Sequence, residues 1–300
     1  MTSNQAGAPG LSAGEWLRCA CHSLETRMGS SDGVDKQDAA EISLSAQVLL
    51  AHVMGKPRSW VLAHPEAVLD WHLQTRLEIL LQRLRLGTPL PYLTGNQEFF
   101  GLKFEVNPHV LIPRPETELL VERALAWVQR YPNYRWAADV GTGSGCIAIS
   151  LSTRLPRLRW LAVDRSWRAL QVACRNATRH GVADRVHLAN ADLLSACAGP
   201  LDLVCANLPY IPHETLRNLP VARHEPTLAL DGGEDGLFLF HALLGTAKRW
   251  LAPGGVILLE MQFDQGEKIT QIAKTYLPDT RITILPDLGG LPRVLEILNP

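Results

Sequence analysis

The sequence predicts an α/β protein: a Rossmann-like, mostly parallel seven-stranded sheet that ends in an antiparallel pair, preceded by a small helical bundle. Three observations predict it. From Trp136 onward, short apolar strands alternate with helical stretches, as in a parallel sheet covered on both faces. The last two strand-like runs, "RITILP" and "RVLEIL", are joined by a link with Gly289, Gly290 and Pro292 that is too short for a crossover helix, so this pair must be antiparallel. Between about residue 12 and residue 86 the apolar residues recur at helical spacing instead.

The N-terminal elements come first. The opening 14 residues lack acids, arginines and an apolar core, so residues 1–11 are expected to be a disordered tail rather than a signal peptide. Residues 12–87 are expected to form the helical domain. In "AEISLSAQVLLAHVMG" the stripe is Ile42, Leu44, Val48, Leu49, His52 and Val53, and the helix stops at Gly55 and Pro57. "LDWHLQTRLEILLQRLRLG" repeats the pattern with Leu73, Leu77, Leu80, Leu81 and Leu84 and closes at Gly87. Arg76, Arg83 and Arg85 read as a solvated face, or as a surface for a partner.

Residues 88–112, rich in aromatic and β-branched side chains with Gly95 and Gly101 as turns, are expected to be a hairpin linker. The remaining domain, 113–300, opens with "PRPETELLVERALAWVQRY", prolines followed by a helix that Thr117 could cap. Strands then follow at "RWAADVG", "LRWLAVD", "RVHLANAD", "LDLVCAN" and "GGVILLEM", ahead of the terminal pair. Seven strands closing on an antiparallel pair is the architecture of class I S-adenosylmethionine-dependent methyltransferases.

Composition narrows the function. With 29 basic and 30 acidic residues the net charge is close to zero, which disfavours a broad nucleic-acid or membrane footprint. No apolar run approaches ~18 residues, so no membrane span is predicted. The six cysteines form no CxxC pair, and Cys19-Ala20-Cys21-His22 has no second ligand pair, so no metal is expected. Free thiols fit a reducing, cytoplasmic location. A monomer is expected.

The chemistry concentrates at strand ends. "ADVGTGSGCIAIS" sits at a strand-to-helix junction, where Gly141, Gly143 and Gly145 let the backbone turn tightly and approach a ligand, with Thr142 and Ser144 between them. A dinucleotide fingerprint needs G-x-G-x-x-G, but here Cys146 takes the third glycine's place. Asp139 ahead of the loop suits a cationic amino group, such as that of S-adenosylmethionine, better than a pyrophosphate. Asp164 ends the next strand, where a carboxylate can accept both ribose hydroxyls, and Asp192 follows the third strand near an adenine position.

"VCANLPYIP" follows the fourth strand and faces the same crevice. The Asn207 side-chain oxygen and the Leu208 carbonyl, fixed by Pro209, can accept the two N–H groups of a planar –NH2, and Tyr210 can stack on it. An amide nitrogen is a poor nucleophile, and two acceptors position it and favour positive charge on it as it attacks a sulfonium methyl group.

These passages resemble the protein-(glutamine-N5) methyltransferases that act on peptide-chain release factors, the HemK or PrmC family. The resemblance rests on "PLPYLTGNQEFFGLKFEVNPHVLIPRPETELLVE", "DVGTGSGCIAIS", "NLPYIP", "HEPTLALDGGEDGL", "PGGVILLE" and "DLGGLPRVLEI". It covers the chain from about residue 88 to its end. It implies that residues 141–145 and Asp164 bind S-adenosylmethionine, released as S-adenosylhomocysteine, with Pro113, Arg114 and Thr117 bordering it. It also implies that Asn207, Leu208, Pro209 and Tyr210 hold the glutamine of a Gly-Gly-Gln loop, and that the helical domain docks the release factor. Leu193 stands where the family has a cofactor contact that is often aromatic. Leu208 replaces the first proline of Asn-Pro-Pro-Tyr, and Met261-Gln262 replaces a Gly-containing pair.

Asn-Leu-Pro-Tyr also occurs in ribosomal-RNA adenine-N6 methyltransferases, so adenine in RNA or DNA is the alternative acceptor. Those enzymes carry their extra helical domain after the sheet, whereas this chain carries it before. A third reading is a non-catalytic adaptor, which an intact set of Asp164, Asn207, Pro209, Tyr210 and glycines argues against.

Overall fold

The structure is a computed structural model describing residues 10–28, 36–131, 133–195, 197 and 199–300. The chain divides into two compact units between Gly95 and Asn96.

The first unit is helical: α1 Ala13–Met28, α2 Lys36–Met54, α3 Arg58–Ala63, α4 Trp71–Arg85 and α5 Leu90–Thr94. Ser12 and Glu15 start α1 as a capping box: Glu15 Oε2 accepts from the Ser12 backbone N–H at 2.8 Å, and Ser12 Oγ accepts from the Glu15 N–H at 3.3 Å. Asp70 caps α4 by accepting from the Leu73 N–H. Trp16, Leu49, Leu50, Leu77, Leu81 and Leu93 meet in the core of this unit. Leu44 and His52, expected in the stripe of α2, are exposed. The expected tail falls mostly on residues 1–9, outside the described residues; Leu11 is already anchored, its carbonyl accepting from the Leu69 N–H.

The expected linker is corrected. Residues 90–94 are the helix α5 of the first unit, because Pro91 sits in the first helical turn and Gly95, at φ 70°, closes it. The hairpin is only β1 Asn96–Phe99 and β2 Leu102–Glu105, in the second unit.

The second unit continues with α6 Glu118–Arg130, β3 Trp136–Val140, α7 Cys146–Arg154, β4 Arg159–Asp164, α8 Trp167–Arg179, β5 Val186–Asn190, β6 Leu201–Ala206 and α9 His213–Asn218. It ends with α10 Phe238–Leu244, β7 Leu251–Glu260, α11 Gly266–Tyr276, β8 Arg281–Pro286 and β9 Pro292–Leu298. The seven-stranded sheet has the order β5-β4-β3-β6-β7-β9-β8. β9 runs antiparallel to both β7 and β8, and the other pairs are parallel, as the alternation and the short last link require. Apolar residues cover both faces: Val204, Phe240, Ile257 and Ile269 pack on one side, and Ile149, Leu151, Trp160, Leu203 and Leu258 on the other.

From β3 the chain steps outward through β4 and β5, then returns to place β6 on the other side of β3. The helices after β3 and β6 therefore leave in opposite directions and open a crevice at the carboxyl ends of these two strands.

Candidate functional site

A cavity of ≈ 600 Å³ occupies this crevice, with walls from the 141–144 loop, Asp164, residues 191–193, Asn207–Pro209 and the segment carrying Pro113, Arg114 and Thr117. The sequence-predicted residues thus converge, apart from Asp139, Gly145 and Tyr210, which do not line the cavity.

Gly141 and Gly143 have φ of 73° and 55°, a left-handed backbone that other residues adopt only with strain. Asp164 Oδ2 accepts from the Gly143 N–H at 2.9 Å and its Oδ1 from the Ser166 N–H at 2.8 Å. Each oxygen keeps a lone pair for a vicinal hydroxyl. Burial raises the Asp164 carboxyl above its ordinary value, while those two backbone N–H groups work against the rise. Asp192 lies at the rim, 3.6 Å from the Arg165 guanidinium, and β5 has already ended at Asn190. Leu193 lines the wall with φ 47°, strained for a leucine.

Asp139 is fully buried and forms no part of the cavity wall. Its Oδ2 accepts from the Thr142 hydroxyl at 2.7 Å and the Ala148 N–H at 3.2 Å, holding the loop against α7. Burial pushes its carboxyl up to about 6. Gly145 is likewise a packing position: a Cβ there would lie 2.7 Å from Ile149 Cδ1 and 3.3 Å from Ala173 Cβ. Asn176 steadies the loop from behind, donating to the Ser144 and Glu105 carbonyls at 2.9 and 3.0 Å. Asp139 Oδ1 and Ser144 Oγ are buried without a hydrogen-bond partner. Ser144 lines the cavity, and a ligand that brings a cationic amino group to this loop would donate to its unpartnered oxygen, so the loop fits S-adenosylmethionine.

Asn207 Nδ2 donates to Thr117 Oγ1 at 3.0 Å. With the NH2 side engaged, the Asn207 oxygen is left to accept, and among the described residues no protein donor reaches it or the Leu208 carbonyl. Thr117 takes no capping role: its side chain makes no cap hydrogen bond at the start of α6, because it is spent on Asn207.

Known proteins fit this site. The chain matches the PrmC N-terminal domain over residues 34–95 and the methyltransferase small domain over residues 117–222. It is 44% identical over 83% of its length to the release factor glutamine methyltransferase of Moorella thermoacetica, covering 89% of that protein. The release factor glutamine methyltransferase of Koribacter versatilis is 37% identical, with 89% of this chain and 95% of that protein covered. That of Bradyrhizobium diazoefficiens is 34% identical, with 94% and 95% covered. The chain belongs to the release factor glutamine methyltransferase family.

The departures of this family member now have physical explanations. Leu208 is 2% exposed and packs into the core, with Cδ2 beside Gly141, so burial anchors a loop whose φ no proline fixes. Met261 is a core residue. Gln262 opens a turn whose N–H donates to Gln265 Oε1, and Gln265 Nε2 in turn donates to the Tyr210 carbonyl at 2.9 Å.

Tyr210 does not line the cavity. Its hydroxyl lies 3.5 Å from Glu260 Oε1, and burial and this carboxylate push its pKa far up. Sequence reasoning missed five residues that brace the site. Glu225 is buried, accepts from the Ile112 N–H at 3.0 Å and pairs with Arg114, tying the "PRPET" segment to "HEPTLALDGG". His213 and Asp231 pair at 2.9 Å near the cavity mouth. Gly236, at φ 78°, lets Tyr210 approach: a Cβ there would lie 2.3 Å from the Tyr210 carbonyl oxygen. Glu260 is 1% exposed at the end of β7, and burial pushes its carboxyl up to about 7. The signal for Glu225 and Gly236 lay in "HEPTLALDGGEDGL"; a buried acid ending an apolar strand was the signal for Glu260.

Proposed function

We propose that this chain methylates the side-chain nitrogen of a glutamine in peptide-chain release factors, the residue being that of a Gly-Gly-Gln loop, with S-adenosylmethionine as donor. The observation that carries the reading is the pair of neutral acceptors at the cavity wall, the Asn207 oxygen and the Leu208 carbonyl, with the Asn207 NH2 turned away onto Thr117. S-adenosylmethionine supplies an electrophilic methyl group.

The protein supplies position and electrostatics. Asp164 accepts hydroxyl hydrogens, and the 141–144 loop admits a ligand close to its backbone. The Asn207 oxygen and the Leu208 carbonyl each take one N–H of the primary amide. They hold its nitrogen in place and favour the positive charge that develops there, so no strong base is needed before transfer. A substrate with one N–H or none leaves an acceptor unmatched.

The names of the relatives favour glutamine over adenine in RNA or DNA, and the balance of 29 basic against 30 acidic residues also fits a protein acceptor. Docking of the release factor is assigned to the helical unit. A partner from the translation machinery gives a cytoplasmic site of action, and no described helix is long and apolar enough to cross a membrane.

Asn207→Ala tests the clamp. Turnover on release factor falls by about 100-fold or more, as for loss of a group that holds developing charge. Affinity for S-adenosylmethionine, measured by calorimetry, changes far less. Equal losses would mean that Asn207 only shapes the cofactor pocket.

A further inference from the structure

We propose that Glu225 is a positioning residue that holds the Arg114 guanidinium in place to receive the carboxylate of the methionine moiety of S-adenosylmethionine. The inference rests on the cofactor reading given above. Glu225 does not line the cavity and Arg114 does, so Glu225 acts through Arg114 without touching the ligand.

The contacts are direct. The Glu225 side chain is 3% exposed and that of Arg114 37%. Glu225 Oε1 accepts from Arg114 Nη2, and Oε2 accepts at 3.0 Å from the N–H of Ile112, 113 positions away in the chain. Both oxygens of a buried carboxylate are thus engaged by the segment that carries Arg114, and one of the two bonds is charge-assisted. The backbone of that segment is stiff as well. Pro113 and Pro115 flank Arg114, which is extended at φ −99° and ψ 146°, as the residue before a proline prefers. Among the described residues the guanidinium makes no other hydrogen bond, so its remaining N–H donors are left for a ligand.

A path of contacts ties Arg114 to the glycine loop. The Arg114 carbonyl accepts from the Thr117 N–H at 3.1 Å, and Thr117 Oγ1 accepts from Asn207 Nδ2 at 3.0 Å. A Cβ on Gly141 would lie 3.8 Å from the Asn207 carbonyl oxygen. The segment carrying Arg114 therefore adjoins the 141–144 loop through Asn207. That loop offers the Ser144 oxygen to a cationic amino group. In an α-amino acid the carboxylate shares a carbon with the amino group, so it needs donors beside the same loop. Two arginines line the cavity. Arg165 follows Asp164 and lies 3.6 Å from Asp192, at the end read as the ribose and adenine site. Arg114 is the arginine left for the carboxylate.

A guanidinium matches a carboxylate through parallel N–H groups in one plane, so its orientation matters as well as its charge. Glu225→Gln removes the hold with little change of shape. A glutamine has one oxygen and one NH2, so either the Ile112 N–H or Arg114 meets a donor instead of an acceptor.

The test is calorimetry of the full chain with two probes, S-adenosylmethionine and decarboxylated S-adenosylmethionine, which keeps the sulfonium and the amino group. The wild type binds the first about 10- to 100-fold more tightly, the value of hydrogen bonds between charged groups. Glu225→Gln loses about tenfold in affinity for S-adenosylmethionine and stays within about threefold for the decarboxylated probe. Arg114→Ala shows the same selective loss, and adding Glu225→Gln to it changes neither affinity by more than about threefold, because the two residues act as one unit. The wild type supplies a measurement that does not depend on any variant. By NMR its Arg114 guanidinium N–H groups are restricted in rotation before ligand is added, and they shift with S-adenosylmethionine but not with the decarboxylated probe. Equal weakening of both probes in Glu225→Gln, unchanged affinity for both, losses that add in the double variant, or an Arg114 guanidinium that rotates freely in the wild type would overturn the proposal. A wild type that binds both probes equally overturns it as well and leaves the cofactor reading standing; a wild type that binds neither refutes the cofactor reading and the proposal with it.

Discussion

Replacing Glu260 by glutamine should make the protein more stable at alkaline pH, and the size of the gain follows from burial. The carboxyl is raised from 4.5 to about 7 because the folded chain removes it from water. The folded state then holds its proton more tightly than the unfolded chain. The stability this group contributes is fully present below pH 4.5 and is lost as the pH rises through about 7. At ~1.4 kcal/mol per pH unit, the span from 4.5 to about 7 amounts to on the order of 3 kcal/mol. Glutamine stays neutral throughout, so Glu260→Gln gains on the wild type by about that much between pH 4.5 and pH 8. Asp139 and Asp164 titrate in both proteins and cancel. The assay is urea unfolding of the full chain at a series of pH values. It follows the transition of the larger unit, which holds Trp127, Trp136, Trp160, Trp167 and Trp250. A stability difference that does not change with pH would refute the reasoning, because it would mean that the carboxyl binds its proton equally well in the folded and the unfolded chain.

Two further substitutions probe the walls of the cavity. Asp164→Ala should weaken S-adenosylmethionine binding by about 10- to 100-fold in calorimetry, the value of hydrogen bonds to a charged group; unchanged affinity would remove Asp164 from the cofactor site. Gly236→Ala puts a Cβ 2.3 Å from the Tyr210 carbonyl oxygen at φ 78°, so it should cost about 1–3 kcal/mol in denaturant unfolding and lower turnover by displacing the loop after β6.

What the sequence revealed follows from how local each signal is. The parallel strands read clearly because each is an apolar run between helices, and the antiparallel pair β8–β9 read clearly because its link is short. Asp164, Asn207 and the glycines read clearly because strand ends converge in such a sheet by topology alone. Long-range packing was not legible. Asp139 shares a strand end with those residues, yet Thr142 and Ala148 turn its carboxylate inward. Thr117 has the composition of a cap, yet Asn207, ninety positions away, claims its hydroxyl. Tyr210 follows the clamp directly, but its hydroxyl lies by Glu260 and its carbonyl accepts from Gln265, and it does not line the cavity. The aromatic and β-branched content of residues 88–112 suggested a hairpin throughout, and over residues 90–94 Pro91 and Gly95 set a helical turn instead.

The central claim is that a primary amide of a release factor receives the methyl group at Asn207 and Leu208. The most direct measurement is transfer of labelled methyl from S-adenosylmethionine by the full chain to three acceptors: release factor, release factor with the Gly-Gly-Gln glutamine changed to alanine, and ribosomal RNA. Label in the first acceptor alone is the expected result. Label in the RNA, or label that survives the glutamine change, would contradict it.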